Sequence, residues 1–546
     1  MAPTSSPKLW RSRFLALGAM LLLLSLQTAC TRSKPTPRTT QTINIGNGDE
    51  LKDLDPHLVT GVPEFHVLMN IFEGLVSKAP RTLQPVPGVA ESWTISPDGK
   101  TYTFKLRPDA KWSNGDPVTA DDFVYSWTRL LTPATAAEYA YQAFYIKNGK
   151  AFNSGTLKDA SQLGVKAKDP HTLVVELENP TPFFLSLLAH HSLFPVHRAS
   201  IEKYGTNWTR PGNLVSNGPY ILTAWEMNKV ITLKRNPNYW DKDHVTIETA
   251  NFYPVQDLNT EEKMFRSGEL DITNEVPLEK LPYWQADKSG AYQQAPYLGT
   301  YFYWMNVTKP PLNNKMVRQA IALAIDREKI VKYVTRGGQL PGTVLTPPGT
   351  GGYTPTPRLP ADSSQIAKAR ELLAKAGYPD GKGLPPIELL YNTNTAHKKI
   401  AETIQEMLKE NLGVNIELFN QEWKVYTDSL KTKSYQLARY GWIGDYNDPN
   451  TFLDMFTTGN GNNFGGYSNP KYDALIDAAA KERDAKKRLQ IFGQAEDVLL
   501  DDLPVLPIYI YTRVYLKNPI VQGWDSNIED IHYLKDVSLN LKGLGR

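Results

Sequence analysis

Residues 387–418 read IELLYNTNTAHKKIAETIQEMLKENLGVNIEL, and the spacing of their apolar positions changes twice. Ile387–Tyr391 is a short apolar run of strand type. Lys398–Asn411 then places Ile400, Ile404, Met407 and Leu408 on one helical face, and Leu412-Gly413 closes the segment. Val414-Asn-Ile-Glu-Leu418 alternates as a second strand. Strand, helix, strand in this order predicts a parallel pair joined by a right-handed crossover, the unit of α/β folds. Ligands of such sheets sit beyond the carboxyl ends of the strands. Two segments are therefore of interest: Asn392–His397, after the first strand, and Arg439–Asp448, after a predicted strand at Tyr435–Tyr440.

Outward from this unit, Ile366–Ala376 carries a helical apolar stripe that ends at Gly377. The earlier half is richer in strands and turns. Trp93–Ser96 and Thr101–Leu106 flank Pro97-Asp98-Gly99, which predicts a hairpin, and Leu173–Leu177 and Val230–Lys234 read as further strands. No internal repeat or low-complexity block interrupts them. A chain of 546 residues is too long for one ordinary core, so two or three lobes are expected. Aromatic residues make up 11%; most will fill the core, and some can present ring faces to a ligand.

The first thirty residues have the layout of a secretory signal. Lys8, Arg11 and Arg13 precede an apolar run from Phe14 to Leu26, and Thr28 and Ala29 are followed by Cys30, the only cysteine. The run is short for a membrane span. Removing these three cations takes the formal charge of +3 to zero, and a neutral body lacks the basic stripe of a nucleic-acid binder. A lone Cys directly after such a run resembles a bacterial lipoprotein acceptor, whose thiol takes a diacylglyceryl group and becomes the mature N-terminus. Gln27 stands where that pattern prefers Leu, with Leu26 one place earlier. Ordinary cleavage near Ala29 is the alternative. Residues 31–42 are polar and rich in Pro, Ser and Thr, which predicts a flexible tether.

Catalytic patterns are missing from the sequence. It contains no G-x-S-x-G elbow and no H-E-x-x-H zinc motif. Gly99-Lys100-Thr101 lacks the upstream Gly of a phosphate loop, and Pro449 spoils the faint calcium-loop look of Asp445–Asp448. His190-His191 on a strand would face opposite sides, which predicts packing and not a shared metal. No cofactor or metal is expected. The stretch Arg439-Tyr-Gly-Trp-Ile-Gly-Asp445 sets a cation, two Gly and an acid around a strand end. A buried carboxylate there needs a cationic partner. A ligand ammonium and an internal Arg439–Asp445 bridge satisfy that need equally.

Over residues 43–540 the chain resembles the extracellular oligopeptide-binding proteins of ABC importers, the bacterial solute-binding protein family 5. The likeness is carried by Leu54-Asp-Pro-His57, Gly61-Val-Pro-Glu64, Ile71-Phe-Glu-Gly-Leu75, Pro87–Trp93, Ala110–Gly115 and Val118–Trp127. Val215–Tyr220, Arg235–Trp240, Asn420-Gln-Glu-Trp423 and Gly441–Asn447 continue it in the same order. The resemblance implies an α/β, multi-lobed clamp of the periplasmic-binding-protein type: two hinged α/β lobes and an additional mixed lobe. Its boundaries would be 43–73 with 196–300 and 511–546 for a discontinuous lobe I, 74–195 for lobe II and 301–510 for lobe III.

The same resemblance implies residue roles. Asp445 would meet the peptide ammonium. Gly61, Val62, Arg439 and Gly441 would lie along the peptide main chain, Tyr139 and Trp423 would flank ligand side chains, and His397 would lie toward the peptide carboxylate. Departures accompany it: Leu430 where relatives carry Arg, Trp304 where they carry an acid, Thr335-Arg336 near a shifted basic position, and Ile443 where some carry cysteine. The implied protein is a non-enzymatic monomer outside the cytoplasmic membrane, held there by lipid on Cys30. It would deliver oligopeptides to the permease subunits of an importer. A pheromone receptor of the same fold, or less favourably an extracellular hydrolase using Asp445, would fit the same residues.

Overall fold

The computed structural model describes residues 40–541, of which Gln41–Leu539 form one compact body. The signal-like segment, Cys30 and most of the proposed tether lie outside the described residues. Strand β1 (Thr42–Gly46) begins at the last tether residue and leads to helix α1 (Val62–Ile71). Strands β2 (Ala90–Ile95) and β3 (Thr101–Leu106) form the hairpin expected from Pro97-Asp98-Gly99. Gly99 takes the left-handed conformation the turn requires (φ 72°), and its N–H donates to Ser96 O at 2.8 Å. Helix α2 (Ala120–Leu131) follows. Strands β4 (Val165–Asp169) and β5 (Thr172–Glu176) then complete an antiparallel sheet in the order β2-β3-β5-β4.

Strands β6 (Tyr220–Glu226), β7 (Val230–Arg235) and β8 (Thr249–Tyr253) return to β1, giving the order β1-β8-β7-β6 with β1 and β8 parallel. The long strand β9 (Tyr292–Met305), the short β10 (Leu340–Pro341), helix α3 (Ile366–Lys375), β11 (Ile387–Asn392), helix α4 (Thr395–Leu412) and β12 (Ile416–Gln421) come next. Helix α5 (Trp423–Lys431), β13 (Leu437–Ile443) and β14 (Val505–Leu516) complete the six-stranded sheet β10-β14-β9-β13-β11-β12. Within it β11 is parallel to both β12 and β13, the pairing expected from residues 387–418.

This sheet is buried on both faces. Tyr301, Tyr303 and Met305 of β9 enter one core while Phe302 and Trp304 enter the other. Leu389 and Leu390, and Leu437 and Ala438, divide in the same way. The two-residue period of a strand sends neighbours to opposite faces, so a doubly covered sheet needs nearly continuous apolar runs. Helix α4 starts three residues before the expected Lys398, because Asn394 caps it by accepting from the N–H groups of Ala396 (2.8 Å) and His397 (3.2 Å). Its polar first turn hides that start from an apolar-period reading.

His190 and His191 do not lie on a strand, which corrects the expectation above. His190 caps a short turn of helix at His191–Leu193, where consecutive residues are not driven to opposite faces, and the two rings lie 4.2 Å apart.

The Leu54–His57 motif ties the loop after β1 to α2. Asp55 is buried and accepts from Arg129 Nη1 (3.0 Å) and Nη2 (2.5 Å) and from Trp208 Nε1 (3.2 Å). Burial raises the Asp55 pKa, but the Arg129 guanidinium outweighs it and holds the carboxyl below its ordinary value. Breaking a buried pair from one side leaves a bare charge, which costs about 3–5 kcal/mol. Arg129→Ala should therefore lower the unfolding free energy by that amount in a urea titration, with a clear drop in midpoint. A change within 1 kcal/mol would show the pair to be dispensable.

Candidate functional site: a groove between opposite-charge ends

The site lies where β13 and β11 end and α1 begins. The segments Thr60–Val62, Asn392–His397 and Arg439–Asp445 come together there with Tyr297, Tyr511 and the loop 529–531. Two connected openings of about 70 and 150 Å³ share Gly61, Val62, Tyr440 and Gly441 on their walls. Asp445 stands in the first and Arg439 in the second. The two segments singled out beyond the strand ends thus both face the groove.

Side chains hold Asp445 at both its main chain and its carboxylate. Its N–H donates to Thr451 Oγ1 (3.0 Å), Gln142 Nε2 donates to Oδ2 (2.7 Å), and His190 Nε2 lies 3.3 Å from Oδ1. The Ser192 N–H donates to His190 Nδ1, which leaves Nε2 as the ring nitrogen that can donate to the carboxylate. No Lys or Arg of the described residues approaches the carboxylate within 4.0 Å. Lys78, which is near, donates to the Asp445 main-chain carbonyl (2.9 Å) and pairs with Glu529. Tyr139 packs its ring edge-on at 4.6 Å from His190, and burial, aided by the Asp445 charge, pushes its hydroxyl well above the usual range.

Arg439 is the mirror case. Nη2 donates to Tyr511 Oη (2.7 Å) and Nη1 to Asn392 Oδ1 (3.3 Å), and the guanidinium lies 4.6 Å over the Tyr301 ring. Its Nε is buried without a partner, and no carboxylate of the described residues is within 4.0 Å. The internal Arg439–Asp445 bridge that the sequence left open is not formed. Arg513 beside it is neutralised by Asp530 (2.6 Å). Burial, helped by Arg439, holds the His397 imidazole well below its ordinary pKa, so His397 faces the groove as a neutral ring. Burial pushes Asp49, on the opposite wall, up to about 7, against hydrogen bonds from Gln256 (3.0 Å) and Asn392 (3.3 Å).

Gly61 and Gly441 give close backbone approach. A side chain at Gly61 would collide with Glu64 Oε2 and the Trp423 ring, and one at Gly441 would come 2.5 Å from Tyr511 Oη. Trp423 is tied across the groove by its Nε1 to Glu64 Oε1 (3.3 Å) and stacks on Tyr426. Val62 is partly exposed at the start of α1. All eight residues singled out from the sequence therefore line one groove. Leu430 and Trp304 are buried in the core away from it. His190, Gln142, Lys78 and Glu529 were not expected; only the His190-His191 pair left a visible mark in the sequence.

Residues 84–464 match the model of the bacterial extracellular solute-binding proteins, family 5. The chain belongs to that family. Among family 5 relatives it is 39% identical over 525 residues to the periplasmic oligopeptide-binding protein OppA of Salmonella typhimurium, covering 94% of this chain and 96% of that one. It superimposes on the crystal structure of Haemophilus influenzae OppA in complex with RPPGFSPFR with a TM-score of 0.88 at 38% identity, covering 92% of this chain and 100% of that one. It is also similar to the Escherichia coli murein tripeptide binding protein MppA, with a TM-score of 0.89 at 38% identity over 92% of this chain and 99% of that one. Against MppA in its unliganded open form the TM-score is 0.62, at 37% identity over 93% and 99% of the two chains. Sequence identity is nearly equal in the two MppA comparisons, 38% and 37%, so the difference lies in the arrangement of the chain.

Proposed function

We propose that this family 5 protein captures oligopeptides outside the cytoplasmic membrane and delivers them to the permease subunits of an ABC importer. The observation that carries the reading is a groove with a carboxylate that no Lys or Arg meets, Asp445, at one end and a guanidinium that no carboxylate meets, Arg439, further along. A peptide is the ligand class that brings an ammonium, an extended backbone and a carboxylate in that order. Strand β13 and the start of α1 would meet the peptide backbone at Gly441, Gly61 and Val62, while Tyr139 and Trp423 would flank its side chains. His397, being neutral, would hydrogen-bond toward the carboxylate end without adding charge. Affinity from backbone and ends is nearly blind to side chains.

The lobes bounded at residues 73/74, 195/196, 300/301 and 510/511 would then act as a clamp. Its closed form is favoured here by the high similarity to one MppA structure and the low similarity to the open one. Closure joins Glu64 to Trp423 and Gln142 to Asp445, contacts between lobes that ligand would stabilise. No step of this role needs catalysis. The relatives named above are binding proteins, and the protein would work as a monomer with lipid on Cys30 as its membrane anchor.

The anchor is tested by fractionation. Cys30→Ala should move the protein from membranes to the soluble fraction, and a variant that stays with membranes would refute lipidation.

The clamp is tested by small-angle scattering. The radius of gyration should fall when a tetra- or pentapeptide saturates the protein, and identical profiles with and without ligand would remove the hinge.

The ammonium site is tested by calorimetry. Leaving one member of a buried pair bare costs about 3–5 kcal/mol, on the order of a hundredfold or more in affinity. Asp445→Ala should lose that much for free peptides, and N-acetylated peptides should lose as much on the native protein. The variant should barely distinguish the two. A folded Asp445→Ala that binds free peptides as tightly as the native protein refutes the assignment.

A further inference from the structure

A larger and more open pocket, about 560 Å³, adjoins the Asp445 end of the groove. Glu529 lines both spaces. Other segments cross between them within a few residues. Tyr297 faces the groove and Pro296 the cavity, Asp445 the groove and Asn447 the cavity, and Ile531 the groove and Ile528 the cavity. The two spaces therefore share a wall. On the shared wall Glu529 pairs with Lys78, which lines the groove, and the two side chains are 1% and 3% exposed. Lys78 Nζ also donates to the Asp445 carbonyl at 2.9 Å, which fixes the ammonium of Lys78 beside the acid it does not neutralise. Burial raises the Glu529 pKa and the Lys78 charge opposes that rise.

A buried ion pair is a poor source of stability, since well-packed apolar residues of similar size do as well or better. Its position gives it another use. We infer that Lys78 and Glu529 set the amino-terminal limit of the ligand, closing the groove just behind the ammonium so that ligands with a bulky group on that nitrogen are refused. The inference rests on Asp445 as the ammonium acceptor. With the pair intact, the space near Asp445 is about 70 Å³ and holds little beyond a primary ammonium and its first residue. Without it, a substituent on the nitrogen would pass into the adjoining pocket, which far exceeds the roughly 150 Å³ that accommodates benzene in a protein interior.

The test separates space from charge. Trialanine, N-methyl-trialanine and N-benzyl-trialanine all keep a protonated amine, and their affinities are compared by calorimetry. The native protein should bind the N-methyl peptide within about tenfold of trialanine and the N-benzyl peptide on the order of a hundredfold more weakly. In Lys78→Ala/Glu529→Ala the benzyl penalty should shrink to about tenfold or less, and in Lys78→Met/Glu529→Gln, which keeps the bulk without the charges, it should remain as in the native protein. A native protein that accepts the N-benzyl peptide as readily as the N-methyl one overturns the proposal without any variant. So does a folded alanine double variant that keeps the native penalty. If native protein and Asp445→Ala bind trialanine alike, the ammonium site itself is wrong and the proposal falls with it; discrimination by size that survives only in the filled proteins upholds it.

Discussion

The ladder between β9 and β14 carries the rest of this molecule. It runs from Tyr292↔Leu516 to Trp304↔Val505, with shifts of register between Pro296 and Thr300 and between Tyr301 and Phe302. On its other side β9 pairs with β13 from Gly299↔Ile443 to Met305↔Leu437. Through that second pairing Tyr301 lies opposite Gly441 and Tyr303 opposite Arg439. The groove wall is thus one continuous hydrogen-bonded surface. Its aromatic residues Tyr297 and Tyr511 come from β9 and β14, and its Arg and Gly come from β13. Because both faces of the sheet are buried, a slip of one residue would exchange the two cores, so the register of the site is fixed by packing.

Against this rigid frame the charges divide into two groups. Asp55 with Arg129, Arg513 with Asp530, Arg488 with Asp448 and Lys78 with Glu529 are paired within the chain. Asp445 and Arg439 have neutral hydrogen-bond partners instead. A buried charge without a counter-charge is expensive, and neutral donors or acceptors lower that cost without removing it. The chain keeps two such charges of opposite sign at separate points of one groove. A ligand bearing the complementary charges at its two ends would remove both costs at once. Burial keeps Tyr139 protonated and His397 unprotonated, so neither adds a charge to the groove near neutrality.

The identity of the strands, the parallel pair at residues 387–418 and the hairpin at Gly99 were legible in the sequence, because each depends on a local period or a local turn. Ends were less legible. Helix α4 begins at a polar turn capped by Asn394, and β13 runs on to Ile443 through Gly441, a residue that reads locally as a break. The stretch Arg439–Asp445 announced a cation and an acid near a strand end, but its spacing was compatible with a bridge between them. The strand settles that: Arg439 points into the cluster of Tyr301, Tyr511 and Asn392, while Asp445 lies beyond the strand's last residue, against Gln142 and His190.

By itself the sequence determined the local elements, the α/β class and the groove segments on β13 and after β11, because these follow from periodicity and turn chemistry, while Gly61 and Val62 at the start of α1 came from the resemblance to the family. Only the tertiary structure decided what faces them. Gln142 and His190 reach Asp445 from positions more than 250 residues away, and Lys78 meets Glu529 across 451. Partners brought together by packing over such separations leave no period and no motif. Whether a charged side chain is neutralised or left for a ligand depends on those partners alone.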